Sequence, residues 1–310
     1  MSSSPEISVV VPTLNEEENV QEMAAAIAQA MCDAEVLDYE LLFIDNGSSD
    51  RTLSLLRQLC AGDERIRVIV NARNFGQMRS PTYGIYQARG RAVVSLCADF
   101  QDPPELIPEF IRRWRAGDKI VLATRHAEAN NAVFRGLRAF AYGFLYKFGD
   151  YPVIPGATGF GLYDRQVVRE LKRWNEPEPF FRGMLVESGH RLSTLPFERP
   201  LRARGYSKSN LASIAAFVIS SVAGSSKGLL KLPLAIGAVL GACTLPVVPL
   251  AFWLTGVRKP AAILAAIGMS LGLALTFLFL GLLGQQVKLL SERTRRVPLV
   301  VERERVGFDD

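Results

Sequence analysis

Two sets of residues carry the chemistry this chain could perform. The first is acidic and amide-rich: residues 12–17 with Glu16, residues 45–50 opening on Asp45 and Asn46, and residues 98–104 with Asp99 and Gln101. Carboxylate and amide oxygens suit a hard divalent cation, Mg²⁺ or Mn²⁺, and they accept hydrogen bonds from sugar hydroxyls or base N–H groups. The second set is cationic. Residues 199–208 hold Arg199, Arg202, Arg204 and Lys208, no acid, and a hinge at Gly205. Guanidinium forks bind phosphate oxygens bidentately, so this loop can close over a diphosphate. The other reactive types read as bland. His126 and His190 have no partner at useful spacing and are expected on the surface or in the core. Cys97 is expected as a small residue ending a buried strand. Asp50 precedes Arg51 and Thr52 and reads as a helix cap. Cys32, Cys60, Cys97 and Cys243 show neither metal-ligand spacing nor a disulfide framework, which fits a reducing compartment.

The elements that must position these residues alternate. Residues 7–11, 40–44, 66–70, 92–96 and 120–123 read as buried strands, and 15–31, 52–60, 76–88 and 105–115 as helices, Pro81 lying early in the third. That order argues for a doubly wound α/β sheet, whose ligands bind beyond the carboxyl ends of the strands. The acidic clusters follow the first, second and fourth strands. No GxGxxG and no GxxxxGK[ST] occurs at a strand end, which speaks against a dinucleotide oxidoreductase and a P-loop NTPase.

Several motifs, in this order, resemble glycosyltransferase family 2 with its Rossmann-like GT-A fold. More narrowly they resemble the polyprenyl-phosphate glycosyltransferases, relatives of dolichol-phosphate mannose synthase. The motifs are VVPTLNEE (10–17), IDNGSSD (44–50), RNFG (73–76), ADFQDPPELI (98–107), YDR (163–165), FRG (181–183) and RARGYSK (202–208). The resemblance implies that Pro12, Leu14, Glu16, Asp45 and Asn46 hold the nucleotide of a sugar donor. It implies a divalent cation on the donor diphosphate, held by Asp99 and Gln101. It implies that Arg125, Arg135, Arg202 and Lys208 engage the acceptor phosphate or the diphosphate. The chain departs from the family where the first metal-site acid is Cys97, where Asn46 replaces a common second Asp, and at Gly159 and Gly161, in a segment that elsewhere reads Asp-Phe-Arg. With fewer carboxylates, the cation is expected to bind weakly. A lipid phosphate is already a nucleophile, so the absence of an acid at Gly159 is tolerable.

Composition places this domain at a membrane. Residues 232–284 contain only two charges, Arg258 and Lys259, whereas 1–231 carry 28 basic and 26 acidic residues. The balanced part gives no nucleic-acid field. The stretches 232–256 and 261–284 would each span about 36–38 Å as a helix, against a hydrocarbon core of about 30 Å. The link 257–260 makes them a hairpin. Six cations flank its ends (Lys227, Lys231, Lys288, Arg293, Arg295 and Arg296) and two its tip, so the ends are expected on the cytoplasmic side. Residues 1–6 show no signal-peptide character. Residues 133–148 and 207–231 read as interfacial, amphipathic segments.

The expected organisation is a cytoplasmic GT-A domain over 1–206, a juxtamembrane segment 207–231, a transmembrane hairpin 232–284 and a cytoplasmic tail 285–310. The expected function is inverting transfer of one sugar from a nucleotide-sugar to a polyprenyl phosphate, undecaprenyl phosphate in a bacterium, at the inner (plasma) membrane. Asp99, Arg202 and Lys208 are the residues expected to promote it. Two rival readings are a membrane-tethered, non-catalytic scaffold and transfer to a glycolipid hydroxyl. The second would need a base where Gly159 stands. The sugar, the base and the oligomeric state stay open, a homo-oligomer included.

Overall fold

The computed structural model describes residues 4–125, 154–198 except 178, residue 200, scattered helical positions between 265 and 294, and 298–308. Four parallel strands form the centre: β1 (Ile7–Thr13), β2 (Tyr39–Asp45), β3 (Ile66–Asn71) and β4 (Ala92–Ser95). Helices α1 (Val20–Asp33), α2 (Thr52–Gly62) and α3 (Gly76–Gln87) connect them. A 3₁₀ turn and α4 (Ile107–Arg115) lead to β5 (Ile120–Arg125). Then come β6 (Ala157–Asp164), α5 (Arg165–Arg173), α6 (Phe181–Glu187), β7 (Leu192–Phe197) and β8 (Glu302–Val306). Together they make one eight-stranded sheet in the order β7-β5-β6-β4-β1-β2-β3-β8, with β6 and β8 antiparallel to their neighbours.

Alternation along the strands builds two cores. Val9, Val11, Leu41, Phe43, Val68 and Val70 face α1, α2 and α4. Val10, Leu42, Ile44 and Ile69 face α3, α5 and α6. Side chains of period two leave no polar face on a sheet covered on both sides, which is why these strands read as continuous apolar runs. Each fully buried Val, Leu or Ile contributes about 1.5–3 kcal/mol relative to exposure. Contact with α3 is close at Gly84, where a Cβ would lie 2.5 Å from the Ile44 side chain. The register pairs Thr13 with Asp45, so the ends of β1 and β2 finish level.

Beyond β5 the structure adds β6, α5, α6 and β7, for which the sequence reading named no element, and two features depart from what it did name. Helix α1 begins at Val20 instead of residue 15, because residues 14–19 are drawn into a turn against the 45–52 loop. The other departure is β8. It arises within the stretch read as a tail and pairs with β3, Val306 opposite Val68. Its sequence, ERERV, has no apolar run, as suits a charged edge strand that resists pairing with other chains. Side chains clasp it: Tyr83 Oη donates to Glu302 (2.6 Å), Arg57 pairs with Glu304 (2.6 Å), and Arg79 donates to the Pro298 carbonyl (2.9 Å).

Among the described residues no helix is long and apolar enough to cross a membrane. The stretches 133–148, 207–231 and 232–256 lie outside the described residues, and 261–284 is described only at scattered positions.

Candidate active site

Because β1, β2, β4 and β5 run parallel, their carboxyl ends open on one rim, and the loops there brace one another. Asn15 takes a left-handed φ of 53°, a conformation Asn tolerates. Its side-chain oxygen accepts the Ser49 N–H (2.7 Å), and its own N–H donates to Ser48 Oγ (2.9 Å). Further along, Glu16 N–H donates to Thr52 Oγ1 (2.8 Å), while Glu17 accepts from the Arg51 backbone (3.0 Å) and guanidinium (3.1 Å). Asp50 accepts the Thr52 N–H (3.0 Å), but the N-cap of α2 is Arg51, so Asp50 stands one residue ahead of the cap it was expected to form. The carboxylate of Glu16 accepts from Asn19 (2.7 Å), and half-buried Pro12 and Leu14 flank the same turn.

Asp45 ends β2 with only 1% of its surface exposed. One carboxylate oxygen accepts the Ser48 N–H (3.3 Å), while the other, Oδ1, is buried with no hydrogen-bond partner among the described residues. A buried acceptor left unmatched costs about 1–3 kcal/mol, which a ligand bringing an N–H or O–H would offset. The next turn needs Gly47 at φ +82°, where a Cβ would come within 3.0 Å of the Arg73 and Asn74 backbone. So the second loop packs directly on the third.

Beyond β4 the chain makes a loop around Asp99 and Gln101, both half-buried. Gln101 N–H donates to Asp99 Oδ1 (3.2 Å). Among the described residues no three of His, Cys, Asp and Glu gather as a metal cluster. Asp99 and Gln101 thus fit a divalent cation only where phosphate oxygens and water complete its shell. The loop is closed by Asp102, which is 3% exposed and accepts the Cys97 N–H (3.0 Å). Cys97 itself is exposed, which corrects its reading as the buried end of a strand. β4 stops at Ser95, and Asp102, not a neighbouring strand, takes up the Cys97 N–H.

A second group stands beside this loop. Tyr163 is fully buried and donates to the Gly159 carbonyl (2.5 Å). Burial, then the nearby negative charge of Asp102, pushes its hydroxyl pKa well up, while the Arg182 guanidinium works the other way. Arg182, on α6, donates to the Ala157 carbonyl (2.9 Å), and its aliphatic part would lie 3.6 Å from a Cβ at Gly159. The segment in which the family resemblance has an acid and an arginine is therefore served by a guanidinium from another element. Sequence reasoning gave no role to Asp102 or Arg182, although both lie inside motifs it quoted.

Arg125 closes β5 at the same rim, its N–H donating to the Gly156 carbonyl (3.0 Å). Arg135, Arg202, Lys208 and His126 lie outside the described residues. His190 is half-buried and meets Glu170 (2.9 Å) on α5, a structural contact. Asp164 likewise caps α5 and holds Trp114 (2.8 Å) and Lys119 (3.0 Å).

The profile of Glycosyl transferase family 2 matches residues 8–172, more than half of the chain; α6 with Arg182, β7 and β8 lie beyond it. Among curated relatives, "Uncharacterized glycosyltransferase YkcC" of Bacillus subtilis (strain 168) is 36% identical over 209 residues, covering 67% of this chain and 64% of its own length. "Uncharacterized glycosyltransferase sll0501" of Synechocystis sp. is 29% identical over 310 residues, covering 98% of this chain and 96% of its own. "Bactoprenol glucosyl transferase" of Shigella phage SfV is 32% identical over 205 residues, 66% of each chain. The strand-end rim, the acidic turns on it and these matches agree, and the chain belongs to glycosyltransferase family 2, a family of sugar-transferring enzymes.

Proposed function

We propose that this chain transfers a single sugar from a nucleotide-sugar to a polyprenyl phosphate at the cytoplasmic face of the plasma membrane. The observation that carries the reading is the rim itself. A buried, unmatched carboxylate oxygen at Asp45 awaits a hydrogen-bond donor, and Asp99 stands on the loop after β4, beside β1 in the sheet. The relative from Shigella phage SfV, named for bactoprenol and glucose, supports a lipid-phosphate acceptor. The described helical positions in and beyond 261–284 present exposed apolar side chains, Met269 and Leu280 among them, which supports a hydrocarbon environment for that stretch.

In this reading the lipid phosphate attacks the anomeric carbon, the bond to the nucleoside diphosphate breaks, and the configuration inverts. Pro12, Leu14, Glu16 and Asp45 hold the nucleoside. Asp99 and Gln101 hold a divalent cation, which supplies charge neutralisation on the diphosphate. Arg125, with Arg135, Arg202 and Lys208, offsets the repulsion between the two anions that meet there. Fixed charges aimed at a developing anion are usually the largest single contribution to such a rate.

The test is a panel of nucleotide-sugars incubated with full-length protein and polyprenyl phosphate, read by mass spectrometry. The expected result is a lipid-phosphate sugar with one hexose mass added, plus free nucleoside diphosphate. Lipid recovered unchanged with every donor would overturn the proposal.

A further inference from the structure

We propose that Asn46 is a positioning residue: its amide fixes the Asp45 turn relative to the Arg73–Phe75 loop, and so sets affinity for the nucleoside part of the donor. The inference rests on a nucleotide-sugar donor, and goes beyond it by giving Asn46 a role other than ligand contact.

Two backbone N–H groups fix the direction of every amide in the network. Phe75 N–H donates to the Asn46 side-chain oxygen (2.9 Å), so that atom must be the acceptor. Asn46 Nδ2 then donates to Asn74 Oδ1 (2.9 Å), which also receives the Gly76 N–H (2.8 Å). From below, Asn71 Nδ2 donates to the same Asn46 oxygen (3.1 Å) and to Ser80 Oγ (3.0 Å). Asn46 thus uses its oxygen twice as acceptor and its nitrogen once as donor. A carboxylate cannot do this. It would set an oxygen against Asn74 Oδ1, and Asn74 could answer only by turning and releasing the Gly76 N–H. The relay accounts for the amide found here.

The relay ties the end of β2, the end of β3 and the first turns of α3 into one unit. It is shielded: Asn46 is 7% exposed and Asn71 wholly buried. On one side of Asn46 lies Asp45 with its unmatched Oδ1. On the other lies Arg73, whose exposed guanidinium stacks 4.0 Å from the Phe75 ring centroid and donates to the Asn74 carbonyl (2.9 Å). Arg73 is exposed and can reach a ligand. Asn71 cannot, yet it orients Asn46.

The experiment titrates the full chain, with Mn²⁺, against UDP, GDP, ADP and CDP separately, and against inorganic pyrophosphate as a probe lacking the nucleoside. Asn46→Asp and Asn46→Ala are expected to weaken the preferred nucleoside diphosphate about tenfold, the scale of one or two lost hydrogen bonds, and to leave pyrophosphate affinity unchanged. Asn71→Asp should act in the same direction, and the Asn46→Ala/Asn71→Asp pair, which leaves no acceptor facing the new carboxylate, should lose less than the sum, as linked residues do. Asn74→Ala, at an exposed position, tests the same relay if the buried variants fail to fold. Unchanged nucleoside diphosphate affinity in Asn46→Ala overturns the proposal, or in Asn74→Ala where the former is unfolded. So does an equal loss for pyrophosphate, since that marks collapse of the whole site. Wild-type protein that binds none of the four nucleotides overturns the donor reading along with it.

Discussion

At the scale of single residues, Asp99 and Asp102 share one loop and do different work. Asp99 is half-buried at the rim, whereas Asp102 turns inward to the Cys97 N–H. Asp99→Asn should leave unfolding unchanged and cut turnover about 10²–10³-fold, the cost typical of losing one charge-stabilising group. Turnover at saturating donor and acceptor, beside a thermal melt, checks both halves. Asp102→Ala should behave in the opposite sense. It strands a backbone N–H, so stability should fall by about 1–3 kcal/mol in urea unfolding, with Asp102→Asn restoring much of it through its remaining oxygen. This contrast marks what the sequence could reveal. The placement of Asp45 and Asp99 at strand ends was legible because each follows an apolar run. Asp102 was not, because serving a backbone N–H leaves no pattern along the chain. Cys97 was misread for the same reason: nothing in a run of buried residues says at which one the ladder ends.

Elements were read well wherever burial imposed a period. The first five strands and four helices follow from apolar repeats; most limits moved by one or two residues, and the largest shift, at residues 14–19, comes where side chains competed for backbone groups. β8 escaped because an edge strand is held by charges and backbone pairing. Its clasp gives a pH prediction. Burial, then the hydrogen bond to Glu302, pushes the Tyr83 hydroxyl up to about 12. That contribution is complete below the ordinary Tyr value of 10.0 and is lost as pH rises through about 12. Burial alone would raise the Glu302 carboxyl, but hydrogen bonds from Arg305 and Tyr83 hold it below its ordinary 4.5, so its contribution is present above that value and fades as pH falls further. Relative to the intrinsic rate at each pH, amide exchange at 302–306 should therefore be slowest between those limits. Tyr83→Phe should speed it about tenfold near neutrality, on the scale of one hydrogen bond to a charged group, and remove the alkaline loss.

For the molecule as a whole, β8 changes how the catalytic part can be isolated. A chain ending at residue 200 lacks the strand that covers β3, and a bare, apolar edge invites pairing with other chains. Such a fragment is expected to aggregate. A version in which a flexible Gly/Ser linker replaces 201–297 and 298–308 is kept should run as a single species on size exclusion and retain nucleoside diphosphate binding. Equal behaviour of the two fragments would show that β8 is dispensable. The same strand sets a rule of parity. The chain leaves the sheet after β7 and rejoins it at β8, and one hydrogen-bonded sheet cannot lie on two sides of a bilayer. Any crossings made by 201–297 must therefore be even in number. A two-span hairpin satisfies the rule and a lone span breaks it, whatever charges flank them. Inserting one further apolar span into 201–297 would then force a choice, either a crossing left unmade or β8 torn from β3, and proteolysis of the exposed β3 edge would report which.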